Sequence, residues 1–234
     1  MTVSQMHTAF RLELDKVNSL QYPDFTSIEV DYWLNRAIRE FVKTRYSGLN
    51  PKREGFEQTQ KRIDDLRTLV REVTVPCTII GSIKPHGFVL TDGFSNVEFS
   101  TAGSYWLSLG EEVDLMLPGS IRIVSGVTEV TADEYRFALD NPYSPHIVHY
   151  NQAKPLRLFY NNTIEFISDG TYSVLNAYVR YIKAPIIVVY STLIDCDLPE
   201  HTHDEIVSLS VRLALENIEQ PRYQSYAQEV AAME

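Results

Sequence analysis

The chain has 234 residues, 44% of them hydrophobic and 22% charged, which suits one large or two small globular domains and excludes disorder as its main theme. Its formal net charge is −10, unevenly spread, with 12 Lys/Arg against 11 Asp/Glu in residues 1–72 and 9 against 20 in the remainder. A surface this acidic excludes a general nucleic-acid binder, which needs Lys and Arg to neutralise phosphate, but not a wall that DNA slides past.

The elements follow in chain order. Residues 4–18 have helical spacing, with Phe10, Leu14 and Val17 on one side, until Tyr22-Pro23-Asp24 breaks the pattern. Thr26-Ser27-Ile28-Glu29 is a capping box opening the clearest helix of the chain. Its stripe is Val30, Trp33, Leu34, Ala37, Ile38, Phe41 and Val42, opposite Asp31, Asn35, Arg36, Arg39, Glu40 and Lys43. Gly48 is its expected stop. A second, far more polar helix is expected over 54–71, and its polarity predicts that solvent or a partner chain covers it. From Val73 the period becomes two, and Pro76 predicts that this first strand is an edge. Short strands follow between glycine and proline turns, with one short helix expected over 131–140. A meander then runs through 156–160, a tight turn at Asn161-Asn162, 163–168, a turn at Asp169-Gly170, and a long strand over 174–183. Asp197 is the expected cap of a last long helix. There Asp204, Ser208, Arg212 and Glu216 recur every four residues, leaving the other faces apolar, as in a buried spine. Pro221 ends it, and residues 222–234 can form a short terminal helix bearing Tyr223, Tyr226 and Val230.

The fold class this predicts is α+β. Helical ends, 1–72 and 197–234, form one body that carries an antiparallel β sandwich or barrel-like module over 73–196. Fourteen Tyr and ten Phe suit aromatic-rich strands, or anchors at protein interfaces. Residues 1–10 lack the charged start and apolar run of a signal peptide, and no apolar stretch nears the roughly 20 residues that span a bilayer. Cys77 and Cys196 are far apart without ligand spacing and read as free, buried thiols in a reducing cytoplasm.

Chemistry-bearing clusters are sparse. His201-Thr202-His203-Asp204-Glu205 resembles metal ligands, but helical residues two apart diverge, so an exposed polar first turn is expected and no metal. Asp64-Asp65, Glu111-Glu112 and Asp133-Glu134 are adjacent carboxylates, which seldom converge across a cleft, and solvated faces account for them. No nucleophile elbow, P-loop or dinucleotide pattern occurs, so no catalytic residue or cofactor is predicted. Arg36, Arg39, Lys43 and Arg45, then Lys52 and Arg53, are the only basic concentration: a solvated helix face, or a docking surface for an acidic partner such as a neighbouring copy.

Four stretches together resemble the head–tail connector, or neck ring, proteins of tailed bacteriophages, notably those of crAss-like phages. They are residues 26–46 (TSIEVDYWLNRAIREFVKTRY), 179–185 (VRYIKAP), 198–216 (LPEHTHDEIVSLSVRLALE), and the segment with TADEY at 131–135 and NPY at 141–143. The resemblance implies a structural protein of the virion neck, made in the host cytoplasm. It would form a homo-oligomeric ring of twelve copies below the portal, contacting portal and other neck or tail rings, with genomic DNA passing the lumen unbound. It also implies a portal-gripping C-terminal segment with Tyr223, Tyr226 and Val230 as anchors. A glycan- or receptor-binding tail module, using the Tyr-rich β region, is the alternative. A hydrolase using acids of the 111–114 stretch would require a pocket and a raised carboxylate pKa.

Overall fold

The computed structural model describes residues 1–17, 25–47, 59–78, 87–90, 105–160 and 163–217. The chain divides into two compact units, Met1–Leu69 with Pro185–Glu234, and Val70–Ala184, and the class is α+β as predicted.

The first unit holds helices α1 (Val3–Val17), α2 (Ser27–Tyr46), α3 (Gln60–Leu66) and, after a 3-10 turn at Glu200–Thr202, a C-terminal helix at His203–Asn217. The capping box forms: the Thr26 N–H donates to Glu29 Oε2 at 2.8 Å, and the Glu29 N–H donates to Thr26 Oγ1 at 3.4 Å. The Thr26 hydroxyl, which donates to Glu29 Oε2 at 2.8 Å, and then the Thr26 N–H hold the Glu29 carboxyl below its ordinary pKa. Every residue of the predicted α2 stripe is buried. The His203–Asn217 helix buries Ala214 and, each contributing on the order of 1.5–3 kcal/mol, Ile206, Val207, Leu209, Val211, Leu213 and Leu215 against α1 and α2. Two of its polar positions serve as ties between helices. Ser208 donates to Glu13 of α1 at 3.1 Å, and Arg212 donates to Glu40 of α2 at 2.9 Å.

Four expectations about this unit are corrected. The described part of the polar second helix, α3, turns one side into its own unit: Arg62, Asp65 and Leu66 are nearly inaccessible, while Gln60 and Lys61 stay exposed. Arg62 donates to the carbonyls of Thr44 (3.2 Å) and Arg45 (3.4 Å), capping the end of α2, and Asp65 accepts from Arg45 at 2.9 Å. Arg45 thus leaves the solvated basic face and is 2% exposed. The first turn at 201–203 is not wholly exposed: His203 is buried and its Nε2 lies 3.0 Å from the Leu198 carbonyl, while His201 Nε2 lies 2.9 Å from Asp65 Oδ1. Asp197 does not cap that turn through its side chain; its carboxylate accepts from the Ile186 N–H at 3.3 Å.

The second unit contains all eight described strands: β1 (Val70–Thr78), β2 (Gly87–Leu90), β3 (Tyr105–Leu117), β4 (Ile121–Gly126), β5 (Thr128–Glu129), β6 (Leu156–Tyr160), β7 (Thr163–Ile167) and β8 (Ser173–Lys183). Their order is β4-β3-β8-β1-β2-β7-β6-β5, antiparallel except for the short β5–β6 pair. β1 is interior, which corrects the edge assignment drawn from Pro76. Residues 70–76 pair with β8 and 77–78 with β2, so Pro76 sits where one ladder ends and the next begins. That is the place in an interior strand where a missing N–H does least harm.

One core cluster takes Val113, Leu115 and Leu117 from β3, Val174, Ala177, Val179 and Tyr181 from β8, Val75 from β1, Phe88 from β2, and Ile164 and Phe166 from β7. The inward phase of β8 slips between Val174 and Ala177, so Val174 rather than Leu175 is buried. The slip coincides with a register shift opposite, between Asp114 and Leu115 on β3. Tyr160 pairs with Thr163, consistent with a two-residue connection, although Asn161 and Asn162 lie outside the described residues.

Two buried imidazoles set the acid response. Burial pushes His203 and His146 below the ordinary imidazole value of 6.5, because the charged form loses its water. A depressed folded-state pKa means stability that is complete above about 6.5 and lost as pH falls through the folded values. Urea midpoints should therefore decline from pH 7 to pH 5, and His203→Gln, which keeps a donor toward Leu198, should flatten that slope. A pH-independent midpoint over this range would refute the assignment.

Candidate functional site

Of the acids read as solvated, Glu111 and Glu112 are instead matched to arginines, as is Asp114 beside them, while Asp133 and Glu134 do stay exposed. Glu111 is buried, 3.6 Å from Arg157, and accepts from Ser108 Oγ at 2.6 Å. Glu112 accepts from Arg180 at 3.2 Å, and Arg180 also donates to Glu72 at 2.6 Å. Asp114, 1% exposed, receives the Arg122 fork and an Asn176 amide. The Arg122 guanidinium holds the Asp114 carboxyl below its ordinary pKa, the reverse of what an acid catalyst there would need. Burial pushes the thiols of Cys77 and Cys196 up to about 12 and about 11, so both stay protonated at neutral pH. Among the described residues, no group of three or more His, Cys, Asp or Glu is placed to hold a metal.

The remaining chemistry lies on the outer face of α2. Tyr32, Asn35, Arg36, Arg39, Glu40 and Lys43, at helical spacing, line a groove of about 510 Å³ whose other side includes Ile187. The Arg36 guanidinium lies 5.6 Å from the Trp33 ring centroid, and Glu40 is engaged by Arg212. Arg39 and Lys43 have no ion-pair partner among the described residues. The groove exists because α2 pins an extended segment beside it. The Asn35 amide donates to the Val188 carbonyl and accepts from the Val188 N–H, both at 2.8 Å, imitating a strand partner. Asp31, 2.8 Å from His7 Nε2, also accepts from the Tyr190 N–H at 3.1 Å. Asn35→Ala should cost about 1–3 kcal/mol, because it orphans both backbone groups of a fully buried residue. Amide exchange at Val188 should accelerate accordingly, and an unchanged rate would refute the clamp.

A second surface lies on the connection between β5 and β6. It includes a short helix, α4 (Tyr135–Asp140), the fourth in chain order; the helix at 203–217 is α5. α4 packs Tyr135, Ala138 and Leu139 against a small cluster of Leu156, Leu158 and Ile167. Phe137 is left 79% exposed, Tyr143 87% and Tyr150 fully exposed. Tyr150 and Asn151 have φ of 51° and 59° between the bridged residues His149 and Gln152, a tight turn of the type usually given to Asn-Gly. Left-handed backbone at a tyrosine costs roughly 1–2 kcal/mol. A concavity of about 600 Å³ beside it includes Val124, His149, Asn151 and Gln152 in its lining.

Of the predicted interface residues, Arg36, Arg39 and Lys43 are brought together in the α2 groove, whereas Tyr223, Tyr226 and Val230, like Lys52 and Arg53, lie outside the described residues. Sequence reasoning missed Asn35, Tyr32 and Ile187. The available signal was only an Asp31/Asn35 pair one helical turn apart beside the basic face, and nothing local tied it to a segment 153 residues away.

Carboxylates neutralised internally, protonated thiols and an unneutralised basic groove suit a protein that binds surfaces. The family described as phage tail ring protein 3/4 matches residues 1–224, and the chain belongs to that family of crAss-like phage ring proteins. It is a structural ring protein of the phage virion. No curated protein matches the chain. No helix among the described residues is long and apolar enough to cross a membrane.

Proposed function

We propose that this ring protein is a head–tail connector subunit, twelve copies of which form a ring beneath the portal and line part of the DNA channel without enzymatic activity. The observation carrying this reading is the α2 groove, with three cations and, among the described residues, no internal counter-charge beyond a Glu40 already held by Arg212. Such a surface recruits an acidic partner at a ring boundary. The net charge of −10 supports a lumen that DNA traverses without adhering. Tyr223, Tyr226 and Val230 are the proposed portal anchors. Purified protein should co-sediment with the portal ring of the same genome and saturate at one copy per portal subunit. Absence of binding would move it to a more distal layer of the tail.

A second reading, a glycan-binding module, draws on the exposed Tyr143 and Tyr150 and on the concavity to which His149, Asn151 and Gln152 contribute. A glycan array on the isolated protein tests it: specific binding abolished by Tyr150→Ala would favour it over the connector role.

A further inference from the structure

A closed ring of identical chains uses a head-to-tail interface, in which each copy offers one surface and receives a different one. The α2 groove is suited to receive. Arg36, Arg39 and Lys43 line it beside the exposed Tyr32 and Ile187, and Glu40, the one acid among its described lining residues, is held by Arg212.

The surface suited to be offered begins just before α4. Asp133 and Glu134 are exposed, and neither carboxylate has a partner among the described residues. Glu134 stands at the N-cap position yet makes no side-chain capping bond, so its charge is not spent on its own helix. Glu134 has right-handed helical backbone and precedes Phe137 by three residues, the spacing that puts its carboxylate and the ring on one face, with Asp133 in the turn just before. The opposite side of α4 is the one already packed, through Tyr135, Ala138 and Leu139. An exposed aromatic flanked by unneutralised carboxylates on one surface, and unneutralised cations flanked by Tyr32 and Ile187 on the other, match in charge and in apolar content.

We infer that Asp133, Glu134 and Phe137 of one copy dock into the α2 groove of the next, the carboxylates meeting Arg39 and Lys43 and the Phe137 ring meeting Tyr32 and Ile187. The occupant of the groove is a second copy of this chain, and the contact rests on the ring reading above. Exposed charges are screened by salt, so ring formation should weaken as ionic strength rises.

Two charge-reversed proteins test this, Arg39→Glu/Lys43→Glu and Asp133→Lys/Glu134→Lys, each compared with wild type by mass photometry at low salt, alone and on the portal ring. Both pairs of changes are on exposed side chains, and circular dichroism confirms folding. Each variant alone should lose at least ten-fold in ring yield. Mixed together they should regain it, because the acidic groove of one accepts the basic turn of the other while the unaltered surfaces also pair. As an independent measurement, the double variant Phe137→Cys/Ile187→Cys should give an oxidation ladder extending beyond dimers, whereas either single variant should stop at dimers. Wild-type rings accompanied by variants that assemble equally well, or by a mixture without rescue, overturn this contact and leave the ring reading standing. Wild type that forms no ring under either condition overturns both. Loss of glycan binding by Asp133→Lys/Glu134→Lys, with ring yield intact, overturns the contact in favour of a glycan site.

Discussion

Replacing Arg45 by Met should destabilise the protein by about 3–5 kcal/mol, the largest effect expected of any single polar side chain here. The Arg45 guanidinium is almost inaccessible. Its Nε donates to Asp65 Oδ2 at 2.9 Å, its Nη2 donates to Glu205, and its carbon lies 4.7 Å from the Phe41 ring centroid. Met keeps much of the stem's packing but leaves Asp65, 1% exposed, with only His201 at 2.9 Å among the described residues to offset its charge. A buried carboxylate stripped of its counter-charge carries most of the penalty. Arg45→Met/Asp65→Leu should therefore recover a large part of the loss, since removing both charges also removes their desolvation. Urea denaturation of the four proteins gives the coupling directly. Simple additivity would show that the two charges do not act as a pair.

Phe166→Ala should cost about 3–5 kcal/mol, the range for deleting a buried aromatic. Phe166 is fully buried on β7, directly opposite Phe88 of β2 and Arg157 of β6, within the cluster that gathers residues from β1, β2, β3, β7 and β8. The cluster around it draws on four strands besides β7 itself, so the surroundings are held from several directions and relax little. Phe166→Leu, which conserves most of the volume, should cost less than about 1.5 kcal/mol. Urea midpoints that fall equally for both substitutions would mean that the ring's shape, not its volume, is what the core requires.

The places where sequence reading succeeded share a physical cause. The Thr26–Glu29 capping box, the α2 stripe and the apolar faces of α5 depend on residues within four positions of one another, and helical geometry brings those together whatever the rest of the chain does. The family likeness drew on the same locally patterned stretches, and the match over residues 1–224 agrees with it. Arg36, Arg39 and Lys43 could be grouped for the same reason.

The misreadings were all questions of partnership. Whether an acid on a strand is solvated or buried depends on what stands across the ladder or across the core. Glu111 and Asp114 are inside because Arg157, 46 residues on by number, and Arg122, in the next strand, supply the opposite charge. α3 looked too polar to bury because Arg62 and Asp65 were counted as liabilities, when they cap α2 and bind Arg45. Pro76 signalled an edge because the exchange of ladders within β1 is a property of three strands at once. Local spacing was enough to settle the helices, their buried faces, the α+β class and the basic face of α2. Only the folded chain could decide which charges are neutralised internally and which, at Arg39, Lys43, Asp133 and Glu134, remain available, because charge compensation is set by distances between residues far apart in the chain.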